Sequence, residues 1–193
     1  VAAAGPTPVC VIDLDFDGLM DEPEVRSLVQ QLMYAYGANR RVPRPLRFHL
    51  SSLGGRIEQQ FVRINGHERW AVTRHAGSYL EAFPRKSVVY LSSEADALLT
   101  TLRADEVYVI GGLVDHNKHK GLTQRRAVEA GVRTARLPID EHLQMSQRRV
   151  LAVNHVFEIL LHYTQHADWA AAFAHAMPQR RGATPRDAAG TPG

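Results

Sequence analysis

Apolar residues recur along this chain at two spacings, and the spacing changes from segment to segment. Residues 9–14, 46–50, 87–91 and 107–110 are short apolar runs rich in β-formers and bounded by charged or turn-forming residues, which predicts buried strands. Between them the period lengthens. After Asp21 and Glu22, Pro23 opens a helix whose apolar positions Val25, Leu28, Val29, Leu32, Met33 and Tyr36 form one stripe, ended by Gly37. Further helices are predicted over 94–103, from Leu122 onward, over 151–164 through Val153, Val156, Phe157, Leu160 and Leu161, and over 167–177. A short strand with a proline stop occupies 134–139. Strand and helix alternate along the chain, so the expected architecture is α/β, a mostly parallel sheet with helices on both faces. Residues 54–83 carry the weakest pattern. The small and proline-containing residues of 182–193 predict a disordered C-terminal tail, which leaves 1–181 as one domain.

One junction stands out. Val107-Tyr108-Val109-Ile110 runs into Gly111-Gly112, reaches Asp115, and continues as His116-Asn117-Lys118-His119-Lys120 before a helix carrying Arg125 and Arg126. In a parallel sheet ligands bind at the carboxyl ends of strands, and paired glycines permit close backbone approach. The same residues also fit a solvated, charged turn. There is no G-x-G-x-x-G turn and no glycine-lysine-serine/threonine loop, which argues against the usual dinucleotide and P-loop sites. Cys10 is the single cysteine, so a disulfide within one chain and a thiolate zinc site are excluded. His116-x-x-His119 beside Asp115 lacks further ligands at metal-site spacing, and no metal is expected. Asp13, Asp15 and Asp17 form a second acidic set at the end of the first strand, which fits either catalytic carboxylates or a cap and turn cluster.

Composition sharpens the picture only through placement. A chain of 193 residues, 45% hydrophobic, can bury a core, and its net charge of +3 is small. The cations are grouped, however: Arg40, Arg41, Arg44 and Arg47; Lys118, Lys120, Arg125 and Arg126; Arg148 and Arg149. Brought to one side, these would suit a phosphate backbone; apart, they are solvated charges. The longest apolar run, 156–161, contains Glu158, so no membrane span is expected. Val1-Ala2-Ala3-Ala4 has no basic start or apolar core, so an intracellular protein, nuclear or cytoplasmic, is expected, and the missing initiator methionine suggests an excised domain.

Several segments together resemble a known family. They are Val9-Cys10-Val11-Ile12-Asp13 with Phe16-Asp17-Gly18-Leu19-Met20, the stretch from Val107 to Leu122, Thr134-Ala135-Arg136-Leu137-Pro138-Ile139, residues 145–160, Asp168-Trp169 and Pro178-Gln179-Arg180-Arg181. In this order they resemble the tRNA methyltransferases that modify N1 of the purine at position nine, a branch of the knotted SPOUT class that uses S-adenosylmethionine. The resemblance implies a C-terminal trefoil knot, a monomer and a folded tRNA as substrate. It implies that the cofactor lies against Leu91, Gly111, Asp115, His116, Asn117, Lys118, His119, Thr123, Leu137, Arg149, Val150 and Leu151, with Gly111 leaving room for its ribose and methionine parts. Asp115 matches the family's proposed proton acceptor for N1, a step that needs a placed base; it is equally suited to orienting the base or the cofactor. Gln31, Arg40, Arg41, Lys118, Lys120, Arg125, Arg126, Arg148 and Asn154 are the expected substrate contacts. Asp115-His116-Asn117 together with 153–158 looks like the guanine-modifying eukaryotic branch. Adenine specificity, a non-catalytic tRNA-binding scaffold and an rRNA-modifying relative are the alternatives. The chain departs from the family pattern at Ser92-Ser93-Glu94-Ala95, where Thr-x-Asp-Ser is usual, and at Tyr34, where a cation is usual.

Overall fold

The computed structural model describes residues 5–144, 151–177 and 184–185. The elements in chain order are β1 (Val9–Asp13), α1 (Glu22–Asn39), β2 (Arg47–Ser51), α2 (Gly55–Phe61), β3 (Thr73–Arg74), α3 (Tyr79–Ala82), β4 (Val88–Leu91), β5 (Val107–Gly111), α4 (Leu122–Glu129), β6 (Arg133–Ala135), α5 (Ile139–His142), β7 (Leu143–Gln144), α6 (Val153–His166), α7 (Trp169–Ala176) and β8 (Thr184–Pro185). The first six strands make one sheet in the order β3-β2-β1-β5-β4-β6, and every pairing in it is parallel.

The short apolar runs become strands because both faces of the sheet are covered. Along β1, Cys10 and Ile12 point into one core and Val9 and Val11 into the other; β5 divides its residues in the same way. The larger core lies under α1, α2, α6 and α7, through Leu28, Leu32, Phe61, Phe157, Leu160 and Phe173. The smaller one lies under α3 and α4, through Tyr79 and Ala127. Helices therefore cover both faces, as the alternation predicted. Among the described residues no helix is long and apolar enough to cross a membrane.

Helix α1 starts where the sequence placed it. The Asp21 carboxylate accepts the Glu24 N–H (2.8 Å) and the Glu24 carboxylate accepts the Asp21 N–H (2.9 Å), a capping box with Pro23 in the first turn. Its end differs: the helix runs through Gly37 to Asn39, whose side chain donates to the Leu46 carbonyl (3.0 Å) and accepts the Leu46 N–H (2.8 Å). These two bonds close the reversal into β2, so an asparagine and not the glycine fixes the stop.

The helix predicted over 94–103 does not form. Leu98 bridges Arg136 in parallel, the Arg136 N–H donates to the Ala97 carbonyl (2.9 Å), and the Leu99 N–H donates to the Arg136 carbonyl (2.9 Å). Pairing beyond the end of β6 satisfies the backbone groups that a helix would otherwise use, and tertiary context overrides propensity. The weakly patterned stretch 54–83 holds α2, β3 and α3, all short. Of the tail expected to be disordered, Thr184–Pro185 pairs antiparallel with Leu143–Gln144.

Candidate active site

The site begins where β5 crosses the end of β1. The Gly112 N–H donates to the Asp13 carbonyl at 2.7 Å, and a Cβ on Gly112 would stand 2.7 Å from that same oxygen, so only glycine fits here. Gly111 is constrained for another reason: a Cβ on it would meet the Thr123 methyl at 2.8 Å and the Tyr90 hydroxyl at 3.3 Å. The space expected for a ligand beside Gly111 is thus partly filled by Thr123, because α4 packs its first turn against the strand end.

Past the glycines, Asp115 organises the loop. Its Oδ1 accepts the Asn117 N–H (2.9 Å), its Oδ2 accepts the His119 N–H (2.7 Å), and His119 Nδ1 lies 3.0 Å from the same Oδ2. The loop pays for this turn with two consecutive left-handed residues, His116 (φ 52°) and Asn117 (φ 65°). That conformation is unfavourable for a side-chain-bearing residue, least so for asparagine and histidine, and the Asp115 bonds offset it. The loop is also fastened to the first βα unit. Val114 N–H points at Met20 Sδ (3.4 Å), Lys118 Nζ sits 2.8 Å from Glu24 Oε1, and Arg126 donates to the Asp15 carbonyl (2.7 Å) while lying over the Phe16 ring. Hydrogen bonding from Lys118 holds the Glu24 carboxyl below the usual carboxylate range, and Glu24 holds the Lys118 ammonium above its own.

The loop forms one wall of a cavity of ≈ 560 Å³ at the carboxyl ends of β4 and β5. Of the expected cofactor neighbours, Leu91, Gly111, Asp115, Asn117, His119, Thr123, Leu137 and Leu151 line it. His116 and Lys118 do not; they alternate outward along the loop, Lys118 toward α1. Arg149 and Val150 lie outside the described residues, as does Arg148. The residue-by-residue reading missed Ile110, Leu113, Ile139, Val153 and Val156 on the apolar walls, and Glu94, Asp96, Arg136 and Asp140 among the polar groups. Arg136 was within reach, since it precedes Leu137; Glu94 and Asp96 were obscured by the helix predicted there.

Asp13, in the second acidic set, has a different environment. It is 5% exposed, its Oδ2 accepts the Tyr90 hydroxyl (2.8 Å), and burial pushes its carboxyl up to about 6 despite that bond. Burial also raises the Tyr90 phenol well above its ordinary value. Residues 13–24 spell D-x-D-x-D-G-x5-E, the ligand spacing of a calcium loop. The carboxylates diverge instead: Asp13 to Tyr90, Asp17 to Arg56 (2.9 Å), Glu24 to Lys118. Among the described residues no group of three or more His, Cys, Asp or Glu side chains is arranged to hold a metal.

The basic clusters do not meet on one side. β2 pairs Arg47 with Val9 at the start of β1, so Arg40, Arg41, Arg44 and Arg47 lie at the amino end of the sheet, away from the cavity. Helix α1 causes this, because its 18 residues carry the chain back about 27 Å. Arg44 is tied to the Thr164 carbonyl and Arg47 to the carbonyls of Thr7 and Ala104, whereas Arg40 and Arg41 are exposed. At the cavity end Lys120 lines the opening and Arg125 is exposed, while Arg126 is turned inward to Asp15 and Phe16. Gln31 Oε1 accepts the Val153 N–H (2.9 Å) and so caps α6; Asn154 is buried in the first turn of that helix.

The chain that holds this geometry matches the family model of the tRNA (guanine(9)-N(1))-methyltransferase TRM10/TRM10A over residues 5–182. The chain belongs to the TRM10/TRM10A family. It is 40% identical over 181 residues to human tRNA methyltransferase 10 homolog A, covering 93% of this chain and 53% of that protein. It is also 40% identical over 177 residues to the tRNA (guanine(9)-N1)-methyltransferase of Schizosaccharomyces pombe, covering 89% of this chain and 58% of the relative. The chain spans about half the length of these curated TRM10 relatives. The crystal structure of full-length spTrm10 with SAH superposes with a TM-score of 0.82 at 36% identity, covering 91% of this chain and all of that one.

Proposed function

We propose that this chain is the catalytic domain of a tRNA methyltransferase that moves a methyl group from S-adenosylmethionine to N1 of guanine at position 9. The observation that carries the reading is the cavity at the ends of β4 and β5, walled by the Asp115 loop, in a chain of the TRM10 family. The named activity of the human and fission-yeast relatives and the SAH bound to spTrm10 support it.

The residues present fit that cofactor. A cavity of ≈ 560 Å³ is of ordinary ligand size. Leu91, Ile110, Leu137 and Leu151 would offer apolar walls to an adenine, and Asp115, Glu94, Asp96 and Asp140 put carboxylates on the cavity wall, the counter-charge that a sulfonium and an ammonium would need. When bound, the cofactor supplies an electrophilic methyl group. The protein must orient the guanine, exclude water and receive the N1 proton. Asp115 acts through the loop that it holds, since its oxygens accept the Asn117 and His119 N–H groups and its Oδ2 also faces the His119 ring. Lys120 and Arg125 at the cavity rim, with Arg40 and Arg41 at the far end of α1, are the cations positioned to meet a large polyanion at two places. The ninth nucleotide must leave its stack to enter the cavity.

The reading extends to a monomer, to the SPOUT knot in the C-terminal part of the chain and to an intracellular site of action in nucleus or cytoplasm; light scattering tests the first. The activity is tested by transfer of labelled methyl to matched tRNA transcripts with G, A or C at position nine. Label on the G transcript alone, mapped to N1, is the expected result. Label on A, on another nucleotide or on none of them overturns the assignment, and intact tRNA binding without transfer would mark a scaffold.

A further inference from the structure

We propose that His119 is the proton acceptor of this site, with Asp115 as its orienting partner. The inference rests on the methyl-transfer reading above. Asp115 already accepts the Asn117 N–H on Oδ1 (2.9 Å) and the His119 N–H on Oδ2 (2.7 Å), with the His119 ring also on Oδ2, so only one lone-pair direction, on Oδ1, is left to it. The imidazole beside it is in the opposite position. His119 Nδ1 lies 3.0 Å from Asp115 Oδ2, an acceptor only, so in the neutral ring Nδ1 carries the hydrogen and Nε2 presents a free lone pair. His119 lines the cavity, and its side chain is 34% exposed, open enough to exchange a proton with solvent after each turnover.

This is the division of labour of an aspartate–histidine pair. The carboxylate selects the tautomer and stabilises the imidazolium once it forms, and the second ring nitrogen does the proton transfer. The proton on guanine N1 passes to His119 Nε2, and the electrons of the N–H bond remain on N1. They form the bond from N1 to the methyl carbon as the carbon–sulfur bond electrons return to sulfur, leaving a neutral thioether. The imidazolium then loses its proton to water. The loop brings Asp115, His116, Lys118 and Lys120 near His119, with Glu24 reaching Lys118 from α1. Across the cavity stand Glu94, Asp96, Arg136 and Asp140.

His119→Asn is the informative substitution, because an asparagine side-chain nitrogen keeps a donor toward Asp115 but offers no basic nitrogen. Its kcat at neutral pH is expected to fall by about 100-fold or more while S-adenosylmethionine affinity, read by calorimetry, stays within about threefold of wild type. The acid limb of the wild-type pH–kcat profile is expected to vanish in His119→Asn and to survive in Asp13→Asn, which separates His119 from Asp13, whose carboxyl is pushed up to about 6. Nitrogen-15 spectra of the free protein should show His119 protonated on Nδ1 and bare on Nε2. An Nε2–H tautomer, or an active wild type whose His119→Asn variant keeps its kcat and its acid limb, overturns the inference and leaves the methyltransferase reading standing. A wild type that transfers no methyl group overturns both.

Discussion

Two aspartates leave the carboxyl ends of neighbouring parallel strands, Asp13 from β1 and Asp115 just beyond β5, and both are nearly inaccessible, at 5% and 8% exposure. Their settings are nonetheless opposed. Asp13 stands on the small-core side with a tyrosine hydroxyl as its closest partner (2.8 Å), and burial dominates its chemistry. Asp115 stands at the cavity with a backbone N–H on each oxygen, and these bonds hold its loop. Similar burial with different partners raises the titration of one carboxylate and makes the other the frame of a loop. Strand position alone does not distinguish them; what surrounds each oxygen does.

The largest test of this contrast is Asp115→Asn. A carboxamide has one acceptor oxygen, so it cannot take the Asn117 and His119 N–H groups and also hold the His119 ring. Methyl transfer is expected to fall about 100-fold or more in kcat/KM, close to 3 kcal/mol, together with cofactor affinity. An equally active variant would place Asp115 on the same footing as any loop acid.

Asp13 should show itself through pH. Its carboxyl titrates at about 6 in the fold against 3.8 in a free chain, so the native state holds more protons between those values. The stability it contributes is complete below about pH 4 and is lost as pH rises through about 6, a fall of about 2–3 kcal/mol. Urea unfolding at pH 4, 5, 6 and 7 should show this slope in wild type and lose it in Asp13→Asn. A slope that persists in the variant would assign it elsewhere.

The contact between the ends of β1 and β5 gives the next effect. In Gly112→Ala the new methyl would press on the Asp13 carbonyl at 2.7 Å, and a loss of about 1–3 kcal/mol in unfolding free energy is expected. The smallest effect belongs to the outer fastening of the loop. Glu24→Gln keeps the helix cap, since glutamine can also reach back to the Asp21 N–H, but removes the charge that Lys118 meets. Hydrogen exchange at the Asn117 and His119 amides should quicken in Glu24→Gln without a change in global unfolding. Unchanged exchange would mean that the Asp115 bonds alone hold the loop.

Much of this molecule could be read along the chain. The strands at Val9, Val88 and Val107, the capped start of α1 at Asp21 and the polar loop after Gly112 all follow from local pattern, because β-branched runs and caps express short-range physics. Failures came where distant segments compete for backbone groups. The stretch around Leu98 has helical composition yet pairs with Arg136, about forty residues away. Lys118 and Arg126 looked like free phosphate ligands, but Glu24 and Phe16 engage them from α1 and the turn before it. Gln31, expected as a substrate contact, has its side-chain oxygen on the first turn of α6, 122 residues away.

By itself the sequence determined the class of fold, a parallel sheet covered on both sides, and the place of its reactive loop at a strand's carboxyl end. Hydrophobic period and turn chemistry are written within a few residues of where they act. Only the tertiary structure decided what each polar side chain does: Asp13 dry against Tyr90, Asp115 bonded to its own loop, His119 on the cavity wall beside Asp115, the arginines after α1 carried to the other end of the sheet. A side chain's charge state and task depend on which atoms lie within about 3 Å of it, and in this fold those atoms come from elements far apart in the chain.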